Sequence, residues 1–244
     1  MTTSSRHSPV YSSAHRSIQA LRGRRTGRLV GTAFVAAPVA MLAAWILLKG
    51  VWRPDLGLPW LLDWTVWTVS HVLYVAAIGA FGVVAVALSR AVGRHSSYAE
   101  RASWVALAIT LASLLAFLGQ VLLDLVVSFG AGSRAGMSAG FDALHRDHPL
   151  LVDLTQGPLA MIWMVGLLAL MILATITRAV RIRDTALLTV GALLLLPQST
   201  LLGLVGIVFV GLALVPVGLR LSVAGGQDAA STVTSSSWTP PVQK

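Results

Sequence analysis

The sequence predicts an all-α fold, a polytopic transmembrane helix bundle. Three observations carry that prediction. Of 244 residues, 56% are hydrophobic and only 11% charged, with a mean hydropathy of +0.79, whereas a soluble domain needs about 25% charged residues to cover itself. The charges fall between charge-free runs of about the 20 residues that cross a hydrocarbon layer ~30 Å thick. The arginines and lysines also sort to alternate gaps between those runs. With no cysteine in the chain, disulfide scaffolds, thiol catalysis and Cys-ligated zinc are excluded.

Taken in order, residues 1–28 carry six arginines and no acid and show no apolar periodicity, so they are expected to be a disordered basic tail. Span one covers 29–48. It does not read as a signal peptide, because the run is longer than an h-region and is followed by further spans. Charge-free runs at 65–89, 104–123 and 156–177 supply spans two, three and four, with Asp124 at the end of the third. A single helix over 185–219 would be ~52 Å long, far more than one crossing. The interruption Pro197-Gln198-Ser199-Thr200 divides it into two short spans near the ~17-residue limit. Six spans are therefore expected, with five as the alternative. The bundle occupies 29–221, with connecting loops at 51–64 and 130–155, and the Ser-, Thr- and Gly-rich segment 222–244 is expected to be a disordered tail.

Positive residues in short loops are retained in the cytoplasm. With the N-terminus inside, the inner segments hold fourteen: the six arginines of 1–28, then Arg90, Arg94, Arg101, Arg178, Arg181, Arg183, Arg220 and Lys244. The outer side holds four, Lys49, Arg53, Arg134 and Arg146. Both termini are thus expected in the cytoplasm and the protein in the plasma membrane. The net charge of +9 becomes a topology signal facing an anionic leaflet rather than a nucleic-acid footprint. Trp52, Trp60, Trp64 and Trp67 fit an aromatic belt at the outer interface.

Ionisable groups inside spans are costly and point to function. Two are predicted, His71 in span two and Asp124 in span three. Counting from Thr65 and Phe129 puts them ~9 Å and ~7.5 Å below the same outer surface, within reach of a mutual hydrogen bond. Ser113, Gln120, Asp124 and Ser128 form a polar stripe on span three, and Thr68 lies one turn above His71. Such a set is either an interhelical polar clasp or a binding, proton or ion site.

A second constellation lies in the 130–155 loop and just beyond it: Asp142, His145, Asp147, His148, Asp153 and Gln156. His145, His148 and Asp142 could ligate a divalent metal if the two histidines share a helix face, although a solvated acidic loop requires no ion. No other cofactor is expected. Candidate binding or proton residues are His71, Gln120, Asp124, Asp153 and Gln156. Gly136-Met137-Ser138-Ala139-Gly140 matches G-x-S-x-G but lacks the strand-turn-helix setting of a nucleophile elbow. Two-histidine haem ligation lacks a second histidine within a span.

A basic tail, a histidine near the start of span two, an acid near the end of span three and a closing Gly-rich span make the chain resemble the small, uncharacterised six-span integral membrane proteins of actinobacteria. Sixteen arginines against two lysines, and no asparagine, fit a high-GC genome. The resemblance implies the fold and the plasma membrane and transfers no catalytic residue. Three functions remain as expectations. The first is a non-enzymatic protein that binds a small molecule or lipid at an outward-facing polar site, or serves as a membrane subunit for a partner. The second is the permease component of an ATP-driven exporter, paired with an ATPase subunit. The third is an embedded enzyme acting on a lipid or isoprenoid. The bilayer is a partner in all three, and nucleic acid in none.

Overall fold

The computed structural model describes the backbone of residues 10–51, 64–93, 97–131, 134–196 and 199–235, with side chains described in 27–50, 64–93, 97–131, 136–196 and 199–222. Its elements are α1 (Val10–Val51), α2 (Trp64–Gly93), α3 (Ser97–Ala131), α4 (Arg134–Asp147), α5 (Pro149–Gln156), a 3-10 turn (Pro158–Met161), α6 (Trp163–Ile176), α7 (Ile182–Leu195) and α8 (Thr200–Ser235). The chain is an all-α bundle. Five segments are long and apolar enough to cross a membrane: Gly27–Gly50, Trp64–Gly93, Ser97–Ala131, Pro149–Ile176 and Thr200–Ser222. The expected fifth span is α7, whose 14 residues extend only ~21 Å.

Close approaches show that neighbouring helices run antiparallel. On α1 and α8, Phe34 meets Gly218 and Trp45 meets Gly203. On α2 and α3, Trp67 Nε1 donates to Ser128 Oγ at 3.0 Å towards one end and Ser89 donates to Ser103 at 3.1 Å towards the other. Gly166 of α6 lies against Thr110 of α3, and Thr155 of α5 against Gly119. Gly191 of α7 and Gly206 of α8 approach so closely that a Cβ on either would lie 2.8 Å from the other's carbonyl oxygen. This alternation gathers Arg28, Arg90, Arg101, Arg178, Arg181, Arg183 and Arg220 at one end of the bundle. Phe34, Leu88, Leu167, Met171 and Leu214 fill the core, while Leu115, Ile172 and Leu212 are exposed on the outside, an apolar outer surface suited to lipid.

Three features depart from the sequence expectation. The fourth span is a broken helix rather than one run over 156–177. Gly157 is extended (φ −81°, ψ −170°) before Pro158, as a residue preceding proline must be displaced from the helical region. At the break Leu159 O accepts the Ile162 N–H at 3.3 Å, as in a 3-10 turn, and the Ser113 hydroxyl of α3 also donates to it. Second, the segment expected as a loop over 130–155 contains α4 and α5, which pack on the end of α3: Gly140 meets Val127 as Thr155 meets Gly119. Third, the helical backbone of α1 begins at Val10 and that of α8 continues to Ser235, inside the segments expected to be tails. Residues 52–63, with Trp52 and Trp60, lie outside the described residues.

Counting about 20 residues of hydrocarbon crossing from the arginine-bearing end, from Leu29 on α1, Leu88 on α2 and Trp104 on α3, reaches Lys49, Thr68 and Asp124. On that count Asp124 falls at the far edge of an apolar layer of this thickness, and His71 about 4.5 Å inside it. α3, at 35 residues, is longer than such a layer is thick. Its last turns extend past that count, with α4 packed on them as a cap where Gly140 meets Val127, while α5 lies alongside α3 where Thr155 meets Gly119.

Candidate functional site

The site is built from the far ends of α2 and α3. Residues 67, 70, 71 and 74 of α2 share the buried face, as the 3.6-residue period dictates. Trp67 ties the two helices together: its indole N–H donates to Ser128 Oγ at 3.0 Å, and Ser128 in turn donates to Leu125 O at 2.9 Å. Met137 and Phe141 of the cap pack over Trp67. Below it the His71 ring lies 4.3 Å, centroid to centroid, from Trp67, with Tyr74 edge-on at 6.4 Å and Phe117 edge-on to Tyr74 at 5.8 Å.

His71 is 1% exposed. Its Nδ1 lies 2.8 Å from Trp67 O, and a carbonyl oxygen only accepts, so Nδ1 carries a proton. The same carbonyl accepts from Ser70 Oγ at 2.7 Å. Nε2 is thereby turned towards Asp124, 3.7 Å from Oδ2. His71 and Asp124 thus meet, at ion-pair range rather than the hydrogen-bond distance expected from the sequence. The cause is the Trp67 carbonyl, which holds the ring through its other nitrogen.

Asp124 differs from its partner in access. Its side chain is 22% exposed, and no described residue donates a hydrogen bond to it. Gln120, one turn away on α3, is half-buried, whereas Asp153 and Gln156 of α5 are exposed and make no described contact with the pair. The stripe on α3 divides by depth: Ser128 serves Trp67, Asp124 serves His71 and Ser113 serves the broken helix. Thr68 donates to Trp64 O within its own helix at 3.1 Å.

The metal candidates do not converge. Asp142, His145 and His148 are all exposed. His148 is not on a common helix face with His145, because α4 ends at Asp147 and His148 caps α5 at φ −139°, ψ 57°. Among the described residues no group of three or more His, Asp or Glu side chains is placed to hold a metal ion. Ser138 lies within helix α4, exposed, so the G-x-S-x-G segment is not a nucleophile elbow.

Trp67, expected in an interfacial belt, also positions His71, a role the hydropathy pattern does not show. The available signal was the i,i+4 spacing of Trp67 and His71, which stacks the ring under the carbonyl one turn back. Asp184, which the sequence pattern does not single out, is 1% exposed; its Oδ2 accepts from Arg220 Nη2 at 2.5 Å while Arg183 Nε lies 3.4 Å from Oδ1. Comparison with protein-family models, with curated proteins and with solved structures finds no match for this chain.

Proposed function

We propose that the protein is a non-enzymatic, multi-pass plasma-membrane protein that binds a small molecule or lipid at the outward-facing polar site formed by His71 and Asp124. The carrying observation is the open carboxylate of Asp124. The contrast with Asp184 is instructive. A carboxylate used to clasp helices is represented by Asp184, with both oxygens facing guanidinium groups and 1% exposure. Asp124 instead has one described polar partner and an open edge at the membrane boundary, leaving lone pairs for a ligand's N–H or O–H donor. The arginine-rich opposite end supports a cytoplasmic placement for that end and an outward placement for this one. The antiparallel sequence α6, α7, α8 supports six crossings with both termini inside, α7 being the short one.

The competing functions have less support. α1 is continuous from Val10 through Val51, which gives an exporter permease no separate coupling helix. An embedded enzyme would need a second catalytic acid, and among the described residues no further Asp, Glu or His joins the His71–Asp124 pair.

Native mass spectrometry of the protein released with its own lipids tests the proposal. The parent should carry a bound species. Asp124→Asn should lower its occupancy by about tenfold, the loss of one hydrogen bond to a charged group, while the thermal midpoint in detergent stays within a few degrees. No bound species on the parent, together with a large loss of folded yield in Asp124→Asn, would show that the pair is a clasp.

A further inference from the structure

We infer that the turn joining α6 to α7 is a binding site for an anionic phospholipid, its phosphate held by Arg178 and Arg181 and its acyl chains lying against Ile176 and Ile182. The turn is built rather than slack. Arg178 adopts a left-handed conformation, φ 60°, that ends α6 as a helix-terminating residue does, and Ala179 N–H donates back to Ala174 O at 2.8 Å. The Thr175 and Thr185 hydroxyls meet at 2.6 Å across the turn. Asp184 anchors the other side against Arg220.

The charge balance of this turn is one-sided. Four arginines, 178, 181, 183 and 220, surround one acid, and that acid is buried with both oxygens already engaged. Arg178 and Arg181 are exposed and form no ion pair among the described residues. Exposed Ile176, Ile182 and Leu219 border them. A free anion satisfies the guanidinium groups alone, whereas a phospholipid also covers the apolar border. Basic pockets between helices at the cytoplasmic side recognise lipid headgroups by this combination, and the planar guanidinium matches two phosphate oxygens at once. This site is separate from the His71–Asp124 site, at the opposite end of the bundle.

Native mass spectrometry in detergent with equimolar phosphatidylglycerol and phosphatidylcholine tests the inference directly. The parent should retain phosphatidylglycerol in preference. Arg178→Gln and Arg181→Gln, chosen because neither residue holds a described partner, should each reduce that preference by about fivefold. Arg90→Gln, at the same end but on α2, should leave it unchanged. Equal retention of the two lipids by the parent would overturn the inference without reliance on any variant. So would an equal loss in Arg90→Gln, or displacement of phosphatidylglycerol by millimolar inorganic phosphate, which would mark a site for the free anion.

Discussion

Gly166→Val should abolish most of the folded protein. A Cβ at this position would lie 2.3 Å from Thr110 Oγ1, 3.0 Å from Thr110 N and 3.1 Å from its Cα. Two of those three atoms belong to the backbone of α3, so no rotamer change relieves the overlap and the two helices must separate. In a bilayer, helix association depends on close packing at small residues, and the ordinary cost of overpacking reaches about 3 kcal/mol. Separation would also break the nearby hydrogen bond from Ser113 of α3 to Leu159 O in the broken helix. Gly79→Val provides the control, since no atom lies within 4 Å of its added Cβ, and its effect should stay within about 1 kcal/mol. Thermal unfolding of both variants in the same detergent, followed by size-exclusion chromatography, measures the difference.

Asp184→Ala should be the next most damaging substitution, by about 2–3 kcal/mol. The cost falls below the ~3–5 kcal/mol of breaking a fully buried pair because Arg220 keeps 34% exposure and is partly solvated when orphaned. Removing the acid leaves the Arg220 and Arg183 guanidinium groups without their shared carboxylate at the foot of α7, whose 14 residues give it little length to hold itself in place. Adding Arg220→Leu should restore part of the stability, since an apolar pair carries no desolvation penalty. If the double variant is no more stable than the single one, the ion pair is not what anchors α7 to α8.

Much of this architecture is legible in the sequence because two strong signals operate along the chain. Charge-free runs mark the helices, and the sorting of arginines marks their direction. The His71–Asp124 pair is legible for the same reason, since an acid and a histidine at matching depths on consecutive spans have few other partners. What escapes is set by local backbone chemistry or by distant pairing. Gly157-Pro158 breaks α5 from α6 although the run contains no charge there, and the signal was the proline's effect on the preceding residue rather than hydropathy. α4 is hidden by its glycine, serine and alanine content, and it packs as a helix on the far end of α3, where Gly140 meets Val127. Asp184 and Arg220 lie 36 residues apart, so no spacing rule joins them. The visible hint is an acid set directly after Arg181 and Arg183 in an otherwise positive turn.

The central claim is that the Asp124 carboxylate is open to the outside of the membrane. The chain contains no cysteine, so single cysteines can be placed on a silent background. Asp124→Cys should react with a membrane-impermeant thiol reagent in intact cells, while Arg178→Cys, at the opposite end, should react only after permeabilisation. Labelling of Asp124→Cys solely after permeabilisation would reverse the orientation. Failure to label it under either condition would close the site.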